Sequence, residues 1–262
     1  MTDADSPDGR SPSVREAISR GFRISFEDAG VGDPLVLING LTGSAAEWRE
    51  LGFVTPLAKH HRVLSVDSLG HGRSDAPAES ELYRYPDVAE DILAALDEAS
   101  VERAALWGYS RGSRIACTVA IEHPERVRAL ILGGAELTGP PDTEIPDWIE
   151  PLRAGGWEAF FEAVPSWGLS EYDRQQFQLS DPNAIAAAVI GEARSAFTPD
   201  LSRVTAPTLV YCGGGDDPDA KRPTADALGT ELHVVGDGDH MQAFGEAAAL
   251  VPLVLAHLAA VR

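Results

Sequence analysis

The chain has 262 residues, 44% of them hydrophobic, and a formal net charge of −20, which suits one large α/β domain with a sizeable core. The acidic balance argues against nucleic acid and anionic membranes as partners, because contacts with phosphate groups need clustered Lys and Arg, and no apolar run approaches the length of a membrane span. Two cysteines, Cys117 and Cys212, fall in a predicted helix and a predicted strand, so we expect buried thiols and a cytoplasmic location.

Strand-like apolar runs alternate with helical segments along most of the chain. Residues 1–20 are polar and rich in Ser, Asp and Pro, which predicts a flexible N-terminal arm. Alternating or continuous apolar residues predict strands at 23–27, 35–38, 62–66, 104–107, 127–132, 208–212 and 231–235. Helical spacing predicts helices at 45–59, 86–99, 111–122 and 241–260. This alternation predicts an α/β fold with a mostly parallel sheet that helices cover on both faces.

One segment departs from this alternation. Residues 136–201 contain no clear strand, but they contain proline-punctuated helical pieces and the tryptophans Trp148, Trp157 and Trp167. An insertion after the carboxyl end of a strand lies over the functional edge of an α/β sheet. We therefore predict a core domain of residues 21–135 and 202–262 with a helical lid at 136–201. The tryptophans are candidates for a substrate pocket, and packing of the lid onto the core is the alternative role for each.

A candidate nucleophile lies between a predicted strand and a predicted helix, in the pentapeptide Gly108-Tyr109-Ser110-Arg111-Gly112. Small residues two positions before and after a serine let strand and helix approach closely at a sharp turn, which exposes the hydroxyl. A serine hydroxyl is a poor nucleophile without a neighbouring base and an acid that orients that base. Ser110 is therefore a nucleophile that needs two partners elsewhere in the chain.

Loops after later strands supply the candidate partners. Among the seven histidines, His240 follows the last predicted strand and is the candidate base, whereas we interpret His71, in another loop, as structural. Asp216 and Asp217 follow a buried strand and offer two adjacent carboxylates for the acid. Glu136, which comes after the preceding strand, is a further candidate for the acid.

The order of these residues along the chain, with Ser110 before the acid and His240 last, resembles the α/β-hydrolase superfamily from about residue 21 to the C-terminus. Three further segments carry the resemblance. Residues 35–43 resemble the family's strand and the oxyanion loop that follows it, and residues 67–74 resemble its Asp-x-x-Gly-His-Gly-x-Ser signature. Residues 206–216 resemble its Pro-Thr-Leu-Val…Gly-x-x-Asp segment. The resemblance implies the α/β-hydrolase fold, with a short helical lid inserted after the sixth strand, and it aligns Asp216 with the acid.

The resemblance also implies a mechanism that needs no metal or organic cofactor. Ser110 attacks an acyl carbonyl, His240 takes the serine proton and later protonates the leaving group, and Asp216 orients the imidazole. The backbone N–H groups of Leu41 and Arg111 bind the oxyanion. We therefore expect a serine hydrolase that acts on a small carboxylic ester or lactone. A homodimer is a possible oligomeric state.

Two departures from the family pattern and two other functions qualify this expectation. Asn39 replaces the usual histidine of the oxyanion loop, and Arg111 follows the nucleophile where an uncharged residue is common. The Arg111 side chain either forms an ion pair away from the site or faces a substrate carboxylate. The alternative functions are hydrolysis of a carbon–carbon bond in a ketone-bearing compound and a ligand receptor without meaningful turnover.

Overall fold

The strands form one mixed sheet. The computed structural model describes residues 12–141 and 143–261, and in these ranges eight strands have the order β1-β2-β4-β3-β5-β6-β7-β8. Their bounds are β1 (Ser13–Ser19), β2 (Phe22–Ala29), β3 (Asp33–Ile38), β4 (His61–Val66), β5 (Ala104–Tyr109), β6 (Val127–Gly133), β7 (Thr208–Cys212) and β8 (Leu232–Val234). Strand β2 is antiparallel to β1 and β4, and the other neighbouring strands are parallel. The predicted α/β fold with a mostly parallel sheet is confirmed.

Helices cover both faces of this sheet. Their bounds are α1 (Ala45–Glu50), α2 (Val54–Leu57), α3 (Tyr85–Glu98), α4 (Arg111–Glu122), α5 (Ile149–Ala163), α6 (Glu171–Phe177), α7 (Pro182–Arg194), α8 (Pro218–Ala227), α9 (His240–Phe244) and α10 (Ala247–Ala260). Successive residues of a strand point to opposite faces, so Val36 and Ile38 pack with α3 and α4, while Leu35 and Leu37 pack with α1, α2 and α10. Both faces of the central strands are therefore buried, as their continuous apolar runs predict.

The prediction of a flexible arm at residues 1–20 is wrong for Ser13–Ser19, which pairs with β2 as an antiparallel hairpin. The apolar residues of β1, Val14 and Ile18, are 50% and 71% exposed, while Ala17 is buried. The buried face of β1 carries small residues and its large apolar residues are exposed, so the sequence does not show the alternation of hydrophobic and polar residues that identifies a strand. Residues 1–11 lie outside the described part of the chain.

Two predicted helices are interrupted, and one helix is missing from the prediction. The predicted helix 45–59 is divided into α1 and α2 around Gly52, whose φ of +86° does not fit a right-handed helix. The predicted helix 241–260 is divided into α9 and α10. Helix α8 was not predicted, and it contains Pro223 as well as Pro218 in its first turn. Proline lowers helix propensity, which masks such a segment in the sequence.

A helical segment, α5 to α7, follows the sixth strand and has a small hydrophobic core of its own. Trp157, Phe160 and Phe161 from α5 pack there against Phe177 from α6 and Ile185 from α7. The limits 136–201 for this lid stay a prediction. None of the helices in the described ranges is both long and apolar enough to cross a membrane.

Candidate active site

A strained turn presents Ser110 between β5 and α4. The backbone of Ser110 has φ +53° and ψ −117°, outside the regions that non-glycine residues favour, and its N–H donates to the carbonyl of Gly133 at 2.7 Å. A Cβ at Gly108 would overlap the backbone carbonyl of Gly112, and a Cβ at Gly112 would overlap that of Ile38. Both glycines are therefore needed for the close approach of strand and helix.

Ser110, His240 and Asp216 form a continuous chain of hydrogen bonds. The Ser110 Oγ lies 2.9 Å from the His240 Nε2, and the His240 Nδ1 lies 3.0 Å from the Asp216 Oδ2. A carboxylate only accepts, so Nδ1 carries the hydrogen and the Nε2 lone pair faces the serine hydroxyl. This is the arrangement in which an imidazole can accept a proton from serine.

Asp216 is held in its charged form by two neighbours. It is 9% exposed, and the ammonium of Lys221 in α8 lies 3.1 Å from its Oδ1. Burial acts to raise the pKa of Asp216, but the hydrogen bonds and charges of His240 and Lys221 outweigh burial, and the pKa lies below its usual value. The carboxylate can thus stabilise a positive charge on His240.

Tyr109 contacts His240, and the sequence did not reveal this contact or that of Lys221 with Asp216. The Tyr109 hydroxyl donates to the backbone carbonyl of His240 at 2.5 Å, and the two rings lie 5.2 Å apart. Phe244 stacks on Tyr109 at 4.8 Å from the other end of α9. Tyr109 lies inside the serine pentapeptide, but its partner is 131 residues away. Only the folded chain brings them together.

The two other candidates for the acid lie elsewhere. Asp217 is exposed and caps α8, where its side chain accepts from the Ala220 N–H at 3.3 Å. Glu136 is also exposed and lines a separate surface cavity beside Arg114. Asp216 is the carboxylate that contacts His240, and neither Asp217 nor Glu136 occupies its position.

The loop that contains Leu41 lies directly against the serine turn. A Cβ at Gly40 would lie 3.5 Å from the Ser110 Cβ. Asn39, buried at the end of β3, donates through Nδ2 to the carbonyls of Gly40 at 3.0 Å and Gly43 at 2.6 Å. Asn39 therefore holds this loop together in place of the family's usual histidine.

The side chain of Arg111 forms an ion pair with Glu192 of α7. It is buried, and Glu192 also accepts a hydrogen bond from the Tyr85 hydroxyl at 3.2 Å. Burial raises the pKa of Glu192, although the charge of Arg111 acts in the opposite direction. The ion pair connects the helix after the nucleophile to a helix of the inserted segment. It corresponds to the first of the two predicted roles except in its place, because both residues line a cavity that reaches Ser110.

The loop motif at residues 67–74 has a structural role in the fold. The Asp67 carboxylate accepts from the backbone N–H groups of Ala45 at 2.6 Å and Arg73 at 3.1 Å. His71 is buried with Nδ1 3.0 Å from the carbonyl of Leu69, and burial lowers the pKa of His71 to about 3. A neutral, buried imidazole agrees with the structural interpretation of His71.

Two cavities meet at Ser110 and Leu41. The first, which we call the aromatic chamber, has a volume of about 230 Å³, and Trp148, Trp157 and Trp167 all line it. The second, of about 250 Å³, is polar and is lined by Arg111 and by other residues that include Tyr85, Arg114 and Glu192. The two substituents of a carbonyl bound at Ser110 therefore face chemically different surroundings. Within the described ranges, no cluster of three or more His, Cys, Asp or Glu side chains could hold a metal ion.

The comparison with protein families agrees with this fold. Residues 33–170 match the family model described as the alpha/beta hydrolase fold. The putative carbamate hydrolase RutD of Variovorax paradoxus strain S110 is 31% identical over 88% of this chain and 93% of its own length. The chain belongs to the alpha/beta hydrolase family, as the resemblance of its motifs predicted.

Other relatives share part of the sequence or the fold. The 2-hydroxymuconate semialdehyde hydrolase of Pseudomonas sp. strain CF600 is 42% identical over 51% of this chain, and the match spans 48% of that relative, about half its length. The enol-lactonase of Burkholderia xenovorans LB400 covers 94% of this chain and 100% of its own at 23% identity, with a TM-score of 0.81. A thermophilic esterase of Thermogutta terrifontis covers 95% and 99% at 21% identity, with a TM-score of 0.83. The two solved structures show the shared fold.

Proposed function

We propose that this chain is a serine hydrolase that cleaves a carboxylic ester or a lactone through an acyl-enzyme on Ser110. The observation that carries the proposal is the chain of hydrogen bonds from Ser110 through His240 to Asp216, with distances of 2.9 and 3.0 Å. A nucleophile, a base in the correct tautomer and a charged acid are the three groups that acyl transfer needs. The strained turn at Ser110 supports the same role, because strain of this kind clusters at functional sites.

In the proposed reaction, the Ser110 Oγ attacks the carbonyl carbon of the substrate while the His240 Nε2 accepts the serine proton. Asp216 stabilises the resulting imidazolium. The backbone N–H groups of Leu41 and Arg111 stabilise the oxyanion, together with the positive end of the α4 dipole. His240 then protonates the leaving oxygen, and a water molecule, deprotonated by the same imidazole, releases the acyl group from Ser110.

The kinetic test compares Ser110→Ala with the wild type on a series of nitrophenyl esters of different acyl lengths and on lactones. Loss of the nucleophile should lower kcat by about 10⁴-fold or more. Ser166→Ala is the matched control, because Ser166 is an exposed serine of the inserted segment. Retention of wild-type turnover by Ser110→Ala would contradict the proposal.

A second candidate is hydrolysis of a carbon–carbon bond in a ketone-bearing substrate. The observation that favours it is the 42% identity with a 2-hydroxymuconate semialdehyde hydrolase over 137 residues, about half of this chain. The same serine, base and acid could serve both reactions. Turnover of nitrophenyl esters without turnover of diketone acids would favour the ester hydrolase, and the reverse result would favour this second candidate.

The cytoplasmic location and the homodimer stay predictions. The location is supported by Cys117 and Cys212, which are both buried and free. Light scattering on the purified protein would determine the oligomeric state.

A further inference from the structure

A carboxylate stands in the wall of the aromatic chamber. Glu47, in the first turn of α1, is only 7% exposed, and it lines the chamber that opens at Ser110. It packs against the loop of Leu41, where a Cβ at Gly43 would lie 2.7 Å from the Glu47 Oε2. Glycine at position 43 therefore leaves the space that the carboxylate occupies. The mechanism proposed above does not use this group.

The carboxylate of Glu47 lacks an ion-pair partner among the residues that the structure describes. Across the described ranges, no Lys, Arg or His nitrogen lies within 4 Å of its carboxylate. Burial raises the pKa of Glu47 to about 7, against a lowering hydrogen bond from the Ser44 backbone, and the nearby carboxylates of Asp173 and Glu50 raise it further. The bond to Ser44 helps to cap α1, but it leaves the charge unpaired. Burying a carboxylate in this way costs stability, which points to a ligand that supplies the missing charge.

Aromatic rings line much of the rest of the chamber wall, which also includes the carboxylate of Asp173. Trp148, Phe160 and Trp167 lie within 6 Å of one another, with centroid separations of 5.2, 5.6 and 5.9 Å, and Trp157 adjoins them. Aromatic rings attract cations through the negative potential above their faces. A neutral alkyl group would satisfy the rings and leave Glu47 unpaired, whereas an organic cation satisfies both. The net charge of −20 would also draw cations toward the protein.

We infer that the aromatic chamber receives a positively charged group of the substrate, an amine or quaternary ammonium ion held between Glu47 and the tryptophans. The inference rests on the proposed function for the bond that is cleaved and names the substrate class: an ester or lactone whose substituent in the aromatic chamber carries a positive charge. Glu47 is then a specificity-determining residue, and it takes no part in the proton transfers of Ser110 and His240.

The test uses two esters of nearly identical shape that differ in charge: 4-nitrophenyl 4-(trimethylammonio)butanoate and 4-nitrophenyl 5,5-dimethylhexanoate. Each kcat/KM is divided by the rate of hydrolysis by hydroxide, because the cation activates the ester chemically. The wild type should favour the cationic ester, and the corrected ratio of the two should fall about tenfold in Glu47→Gln. Glu158→Gln is the matched control, since it removes one exposed carboxylate beside Trp157 that does not line the chamber. This control should keep the wild-type ratio.

A second measurement needs no substitution of Glu47. Choline and its neutral isostere 3,3-dimethylbutan-1-ol are compared as inhibitors of wild-type hydrolysis and, by calorimetry, as ligands of Ser110→Ala. Tighter binding of choline by about tenfold supports the inference, and equal or weaker binding of choline overturns it. An unchanged ester ratio in a folded Glu47→Gln protein also overturns it. Failure of Ser110→Ala to abolish hydrolysis would instead overturn the proposed function, so the two failures are distinguishable.

Discussion

The two sides of the candidate active site are built in different ways. On the core side, backbone geometry positions the reacting groups: Ser110 sits in a turn that only glycines permit at positions 108 and 112, and His240 is held through its own backbone carbonyl. On the side of the inserted segment, side chains of α5, α6 and α7 line the aromatic chamber together with Glu47 of α1. The comparison indicates that the chemistry depends on the turns of the sheet edge, and that substrate choice depends on how separate helices pack.

The largest expected effect tests the core side. Asp216→Asn should lower kcat by about 10⁴-fold, because an amide can stabilise the wrong tautomer of His240 and cannot offset the charge of the imidazolium. The loss should be similar for cationic and neutral esters, since Asp216 lies outside the chamber. Steady-state kinetics with both esters measures it. A loss confined to one ester would contradict the division between the two sides.

The next largest effect is on the free energy of unfolding and concerns the ion pair of Arg111 and Glu192, which connects the two sides of the site. Glu192→Leu leaves the buried guanidinium of Arg111 without its partner, and the free energy of unfolding should fall by about 3 kcal/mol. The double variant Arg111→Met/Glu192→Leu should recover most of this loss, because it removes both buried charges. Urea denaturation of the three proteins provides the test. Equal stabilities of the two variants would show that the ion pair does not join the segments as described.

Substitution of Glu47 should change the free energy of unfolding by a similar amount, but should raise it. The folded protein holds the pKa of Glu47 at about 7, above the ordinary value of 4.5. Above pH 4.5 the unfolded chain therefore releases this proton more readily than the folded one, so stability falls as the pH rises from 4.5 through 7. Glu47→Gln removes this cost and should stabilise the protein by about 3 kcal/mol at pH 8, with little change near pH 4.

Denaturation of Glu47→Gln and wild type at several pH values measures this difference. Glu50, Asp173 and Tyr172 are other ionisable residues near Glu47, so the comparison is made between variant and wild type at each pH. A difference that does not grow with pH would contradict an unpaired charge at Glu47.

The smallest expected effect is on kcat and concerns Lys221, on the core side of the site. Lys221→Met removes one of the two groups that hold the pKa of Asp216 below its usual value, and the hydrogen bond with His240 remains. We expect kcat to fall about tenfold for cationic and neutral esters alike. A change in KM for one ester only would place Lys221 with the residues that select substrate.

The sequence predicted the core side better than the chamber, for physical reasons. A sharp strand–helix turn constrains residues that are adjacent in the chain, so Gly108 to Gly112 could be recognised directly. Lys221 escaped recognition because prolines disguise α8. Glu47 resembled any acidic residue of a helical surface, and the chamber that it lines is completed by α5 and α6, more than one hundred residues later in the chain.

The central claim, an acyl-enzyme on Ser110, is tested most directly by peptide mass spectrometry after reaction with a fluorophosphonate probe. In the wild type we expect one modified peptide, with the added mass on Ser110. We expect no modification of Ser110→Ala and slow modification of Asp216→Asn. Labelling of another residue, or equal labelling of wild type and Ser110→Ala, would contradict the account.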